Sequence, residues 1–547
     1  MEINMKKRWK KMVVTLLTVA LVGSLTACGG KKNDTGEVTE ATSAAGNVVT
    51  VGVTDTIGSL NPLLMDGTEV VKYATSLEFL PLLELNKDLE FEGQIATDIT
   101  TEDNKTFTIN IDPNAVWSDG EPITSKDVLF SFLCWASPEI GSTGMSIQNI
   151  EGTGDDGFVE AGSDSISGVV AIDDKTVQIT TKFEIALSTF QNIYGRYILI
   201  LPEHILGDTP KDQMLSNEWF NAPTVVSGPY MVKDFDLNHY VTYEANENYF
   251  KGAPKIKNLS IKVVTSSQLL TGLQSGEIDL VQQTTGNILQ EDYESVQKLD
   301  NITVYDGTPI TTQSIFFNTE KITNAKVRQA FLYGMDRDII LQEFLKGKGE
   351  IVDGFLVSAG PYYDPSIVPT AYDKDKAVQL LEEAKAEGWD SSTEYNFYVN
   401  SGDTTFTQVA SYIAAQFAEI GLKIKINTVD ITTLMTVAGS GDFDLLAVQY
   451  TYAPVDVYTD ASWLLSASGW TRYQNDEVSK ALTETQLTID TDKIKESYRI
   501  VDSAVQTDVP MINAYVISAL GAKSNRLQNA TPDVYGTFIN VQDWEIK

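Results

Sequence analysis

The chain is poor in the residues from which most reactive or crosslinked sites are built. Cysteine occurs twice in 547 residues, as Cys28 and Cys134, and histidine twice, as His204 and His239. Two cysteines make neither a disulfide framework nor a structural zinc site, and two histidines rule out a three-histidine metal centre within one chain. Basic residues are the next shortage: 40 Lys and Arg stand against 75 Asp and Glu, a net charge of −35. Nucleic acid is therefore a poor partner, because phosphate binding rests on a surplus of Lys and Arg. Catalytic signatures are missing too: there is no G-x-S-x-G elbow, no H-E-x-x-H, no Walker A loop and no G-x-G-x-x-G after a strand. These absences speak against an enzyme, although 75 acidic residues leave a two-carboxylate glycosidase open, since any pair among so many is unremarkable. Core material is not short. With 42% hydrophobic residues the chain can fold along most of its length, and its size favours two or three domains.

The N-terminus is organised differently from the rest. Lys6 to Lys11 is a basic run leading into an apolar stretch, Met12 to Val22, too short to span a bilayer comfortably. This is the pattern of a secretory signal peptide. Leu25-Thr26-Ala27-Cys28-Gly29 follows at once and resembles the bacterial lipobox, which implies a leader over residues 1–27 and a lipid anchor on Cys28. Removing that leader takes away five basic residues and one acidic, so the charge falls from −35 to −39. An anionic membrane repels such a body, and a covalent tether overcomes the repulsion. Residues 28–46 are small, polar and aperiodic beyond the cysteine, a flexible leash.

From Val48 onward short strands and amphipathic helices alternate. Thr106 to Ile111 places Phe107, Ile109 and Ile111 on one face, and Leu422 to Asn427 alternates similarly; both predict half-buried strands. The spacing predicts helices over 375–387, with Ala377, Leu380, Leu381 and Ala384 in one stripe, and over 408–420, each stopped by a glycine, Gly388 and Gly421. Thr124 to Asp127 reads as a helix cap before Val128, Leu129, Phe132 and Leu133. Pro138 to Gly168, rich in Gly, Ser and Asp, is expected to be a solvated surface excursion. The whole reads as α/β or mixed α+β.

Four blocks carry a resemblance. They are Phe107 to Phe132; Ser227-Gly-Pro-Tyr230 with Asn246 to Phe250; Leu273-Gln-Ser-Gly-Glu-Ile-Asp-Leu280; and Ile315-Phe-Phe-Asn318 continuing through Lys326 to Ala330, Met335-Asp-Arg337, Tyr372 to Leu381 and Ile420-Gly-Leu422. Together, in this order, they resemble the extracytoplasmic solute-binding proteins of peptide-type ABC importers. The resemblance implies a two-lobed α/β fold like that of periplasmic binding proteins, with a large extra subdomain and the ligand cleft between the lobes. One lobe would comprise 47–305 plus 508–547, with an inserted subdomain near 87–195, and the other 306–507. It implies capture of oligopeptides and delivery to the permease subunits, no cofactor and no metal, a monomer, and a place on the outer face of the bacterial cytoplasmic membrane. Asp119-Gly120, Pro229, Gly276, Arg328, Asp336 and His204 are then expected to be architectural rather than ligand hooks.

The family's cleft loop departs from pattern here. Tyr450 stands where a tryptophan is expected and Ala453 where an aspartate would meet the peptide's α-amino group, with Asp456 three residues on as a candidate replacement. Val437 to Ser440 lacks the basic side chains that meet a peptide carboxylate in some members. The expected binding residues are Tyr450, Tyr452, Asp456, Trp463, Trp470, Asn513 and Tyr515, with Tyr458 and Tyr473 in the same aromatic-rich region and the loop from Asp55 to Pro62 as a first cleft segment. Aromatic faces stack on sugar rings as readily as on side chains. An oligosaccharide or other neutral solute, or a peptide-sensing receptor that does not transport, thus stands beside the oligopeptide reading.

Overall fold

The computed structural model describes residues 48–65, 69–141, 146–451 and 453–547. The expected leader, Cys28, its leash and Tyr452 lie outside the described residues.

Two large mixed sheets form the frame. The first has seven strands in the spatial order Ile302–Asp306, Leu520–Ser524, Leu280–Val281, Val48–Val53, Asn258–Val263, Tyr240–Ala245 and Tyr230–Asp236. The second has six: Gly349–Glu350, Met511–Ile517, Thr311–Phe317, Leu445–Thr451, Glu394–Asn400 and Lys423–Val429. In the second sheet the last three strands are mutually parallel, joined through the helices Thr404–Glu419 and Ile431–Ser440. Their carboxyl ends therefore open on one side, where α/β sheets place ligands.

The chain crosses between the sheets at 307–310 and again at 518–519, which puts the return later than the expected 508. The physical reason is burial: Met511 to Val516 is buried at every position, so it needs neighbours on both edges and finds them in Thr311–Phe317 and Gly349–Glu350.

Near the expected insert, an antiparallel sheet of four strands runs Ala96–Thr101, Thr106–Ile111, Thr176–Thr180, Val169–Asp173. Its apolar face shares one core with Phe79, Leu82, Leu199 and Phe220 from the flanking chain. The excursion over 138–168 has no helix or strand among its described residues, but it is not solvated decoration: Ile140, Ile147, Ile150, Val159 and Ile166 all enter that core. Apolar residues too sparse to show a period thus pin a loop rich in Gly and Asp.

Local rules account for the element ends. Thr124 and Asp127 form a capping box at the helix Ser125–Ala136. The helix Lys374–Ala386 is capped by Asp373, and the helix Thr404–Glu419 starts four residues before the expected 408 because Asp403 caps it. Arg328, 5% exposed, donates to the carbonyls of Ile322, Thr323, Asp508 and Val509, while Asp336 caps the backbone N–H of Ile339. His204 meets Asp119 at 3.0 Å beside Trp117. All three are engaged by the fold's own groups.

Candidate functional site

A cavity of about 740 Å³ lies between the two sheets. Both crossings line it, through Thr308, Ile310 and Ala519, with Ile517 from the strand before the second. Asp55, Gln283 and Asn287 face it from the first lobe, Asn192 and Tyr197 from the chain after the four-stranded sheet, and Val534 and Tyr535 from the C-terminal segment. The second lobe contributes Asn400, Asp403, Gln449, Thr451, Asp456, Asp460 and Tyr515. Asp55, Gln283, Asn400 and Asp403 stand at or just past strand ends, where the frame holds their backbones.

The lining is one-sided in charge. It carries the carboxyl groups of Asp55, Glu69, Asp403, Asp456 and Asp460, and no Lys, Arg or His among the described residues. Asp456 is 3% exposed and accepts from Thr189 Oγ1 at 2.9 Å, Asn192 Nδ2 at 3.2 Å and Thr459 Oγ1 at 3.0 Å. Neutral donors only partly offset its desolvation, and burial raises its carboxyl above the usual range. Asp460 sits one helical turn further along Val457–Leu464. Burial pushes it up to about 6, against the lowering effect of the Tyr450 hydroxyl and with a further rise from Asp456. Two adjacent carboxyl groups without a cation form an environment that a positively charged ligand group would stabilise.

Behind this wall lies a buried ionic group. Lys72 and Arg196 are both 0% exposed, and Glu84 holds them at 2.5 Å each, Oε2 to Lys72 Nζ and Oε1 to Arg196 Nε. Arg196 also donates to Asn192 Oδ1 at 2.8 Å and lies over the rings of Tyr197 and Tyr535, while Tyr197 donates to Glu69 at 2.9 Å. The group thus positions four lining residues.

Of the sequence-expected residues, the structure brings Asp456 and Tyr515 to the cavity. Tyr450 stands behind it, its hydroxyl donating to Asp460. Trp470 packs edge-on against Phe316, Tyr450 and Trp463 at 5.2, 6.1 and 5.1 Å between ring centroids, and Tyr450 and Trp470 lie half-buried against the second lobe's core. Trp463 is 41% exposed but does not line the cavity. Asn513 is buried, accepting from Ser314 Oγ at 2.7 Å and donating to the Gly354 carbonyl at 2.9 Å. The resemblance of this strand to the family's cleft strand implies that Asn513 and Tyr515 both meet the ligand. The ladder shifts register where Ser314 faces Asn513 and Gln313 faces Tyr515, so one extra residue, Ala514, turns the two side chains to opposite faces. Ile512, Ala514 and Tyr515 pack in one core and Met511 and Val516 in another.

Sequence reasoning missed Glu69, Asp403, Asp460 and Gln283. Asp460 was within reach, four residues from Asp456 on a helix and hence on the same face. Asp403 was also legible as a cap just past the end of a parallel strand. Gln283 and Glu69 carry no local signal; topology alone brings them here. Among the described residues no group of three or more His, Cys, Asp or Glu converges to hold a metal ion, and no helix is long and apolar enough to cross a membrane.

The chain is 22% identical over 572 residues to the oligopeptide-binding protein AppA of Bacillus subtilis, covering 99% of both chains. The structure of that protein with a nonapeptide superposes with a TM-score of 0.70 at 21% identity, over 91% of this chain and 99% of that one. The ABC transporter substrate-binding protein CtaP of Listeria monocytogenes superposes with a TM-score of 0.76 at 20% identity, over 92% and 99%. A nickel-binding periplasmic protein of Escherichia coli is 22% identical over 76% of this chain and 77% of its own. These likenesses give the two-lobed α/β fold. Residues 90–472 match the model of the bacterial extracellular solute-binding proteins, family 5, and the chain belongs to that family.

Proposed function

We propose that this protein is the ligand-capturing component of an ABC importer, that its ligand is an oligopeptide, and that Cys28 tethers it to the outer face of the cytoplasmic membrane. The observation that carries the peptide reading is an open sheet edge at the cavity. The ladder between Glu394–Asn400 and Leu445–Thr451 covers only Phe397 and Tyr398 opposite Leu445 and Leu446, after which the second strand runs on through Gln449 and Thr451 along the cavity wall. An extended main chain laid there continues the sheet, the mode in which backbone hydrogen bonds give affinity and side-chain pockets give selectivity. Trp463 and Trp470, two of the aromatics that left a sugar open, do not line the cavity. Closure follows if the ligand contacts both walls, because its differential affinity for the closed form shifts the population.

Pools of three-to-six-residue peptides and of short oligosaccharides, added in parallel to the body lacking its leader, test the ligand class by thermal shift. A peptide at a hundred times its Kd stabilises by about 2.7 kcal/mol. A shift with peptides is expected; a shift with oligosaccharides alone would sink the reading. The tether has its own test. With Cys28→Ser the protein should leave the washed membrane fraction, since the acidic body has no electrostatic hold on an anionic surface. Retention of the variant would contradict lipid anchoring.

A further inference from the structure

A second chamber of about 210 Å³ opens off the main cavity, with Asn400, Asp403 and Gln449 in the walls of both. We propose that this chamber takes the side chain of one lysine or arginine of a bound peptide, with the Asp403 carboxylate and the Gln313 side-chain oxygen receiving its cationic head; the inference rests on the peptide reading above. Three independent features point there. The first is shape and polarity: Phe406, Leu434 and Val448 give apolar walls suited to a methylene stem, while Asp403 stands at the shared boundary.

The second is an unmade hydrogen bond. Gln313 lines the chamber and is 2% exposed, yet its Oε1 has no hydrogen-bond partner. A buried acceptor without a donor is uncommon in native proteins, and a ligand N–H repairs it. Gln313 lies opposite Gln449 in the ladder, so the acceptor sits one strand from the open edge on which the peptide main chain would lie. The third is charge. Asp403 Oδ1 accepts from the Phe406 N–H at 2.8 Å, and no Lys, Arg or His lines either cavity among the described residues. The groups packed on this carboxyl are backbone donors of Thr405 and Phe406, and burial raises it above its ordinary range, the behaviour of a carboxylate without a counter-ion. An acidic ligand side chain would meet a like charge, and an aliphatic one would leave Gln313 unpaired.

Calorimetric titration of pentapeptides Ala-Ala-Xaa-Ala-Ala and their positional isomers, with Xaa lysine or norleucine, tests this at neutral pH. Lysine at one position should bind about tenfold more tightly than norleucine, the ratio of one charge-assisted hydrogen bond. In Asp403→Asn, which keeps a capping side chain for the helix, that ratio should collapse to about threefold or less, and Gln313→Leu should lower it as well. Equal binding of lysine and norleucine peptides at every position overturns the chamber while leaving the peptide reading intact, as does an unchanged ratio in both variants. Failure of every peptide to bind the wild-type protein, with an oligosaccharide binding instead, overturns the peptide reading and this inference with it. If Asp403→Asn does not fold, as judged by circular dichroism, Gln313→Leu decides.

Discussion

Replacing Glu84 with Gln should destabilise the folded body by about 3–5 kcal/mol, the range for removing one partner from a fully buried ionic group. Lys72 and Arg196 have no exposure, and Glu84 is their shared anion. Burial alone would raise the Glu84 carboxyl; Arg196 and then Lys72 reverse that and hold it below the ordinary range. Burial, with Arg196 adding to it, already pulls the Lys72 ammonium down. Without Glu84, Lys72 loses its proton or stays charged with only the Glu69 carboxylate to offset its burial, and both options are costly. Urea unfolding should show a lowered midpoint with an unchanged slope, because the change acts on the native state. The double substitution Glu84→Gln with Lys72→Met should recover part of the loss by removing one of the two stranded cations. A loss below about 1 kcal/mol would mean that water reaches the group. Because Arg196 positions Asn192, Tyr197 and Tyr535, the single variant should also weaken ligand binding.

Asp502→Asn should stabilise the protein, and more at high pH than at low. Asp502 is 1% exposed on the long helix Thr491–Asp508, where its Oδ1 accepts from the backbone N–H groups of Phe355 at 2.6 Å and Leu356 at 3.3 Å. Burial pushes the carboxyl up to about 7; the two N–H groups lower it, and Asp364 and Asp353 raise it further. The folded state thus holds this proton more tightly than the unfolded chain, whose value is near 3.8. Its contribution to stability is fully present below that value and is lost as pH rises towards 7, by roughly 4 kcal/mol in total. Asn keeps the acceptor and cannot ionise. Its advantage over the wild type should therefore be smaller at pH 5 than at pH 8 by roughly 2–3 kcal/mol. Paired denaturation curves at the two pH values check this. A pH-independent difference would contradict a buried, titrating Asp502.

Legibility in the sequence followed the range of the physics involved. Helix starts and stops are local, and Thr124, Asp127, Gly388 and Gly421 sit where caps and stops were expected, the two glycines at φ +100° and +96°. The half-buried strand at Thr106–Ile111 is equally local, since alternation alone defines its face. The return crossing and the opposite facing of Asn513 and Tyr515 depend on sheet neighbours and on a bulge that no spacing announces. The aromatics around Tyr450 were visible as a group, but whether they face the cavity or one another depended on Phe316, far away in sequence. Asp456 lies at the cavity, but its hydrogen bonds from Thr189 and Asn192 come from a remote segment that no local spacing announces.

A crystal structure of the body with a saturating lysine-containing pentapeptide tests the central claim most directly. Peptide density is expected in the cavity between the sheets, its main chain beside Gln449 and Thr451 and one side chain directed towards Asp403. Peptide bound elsewhere on the surface, with that cavity holding only solvent, would contradict it.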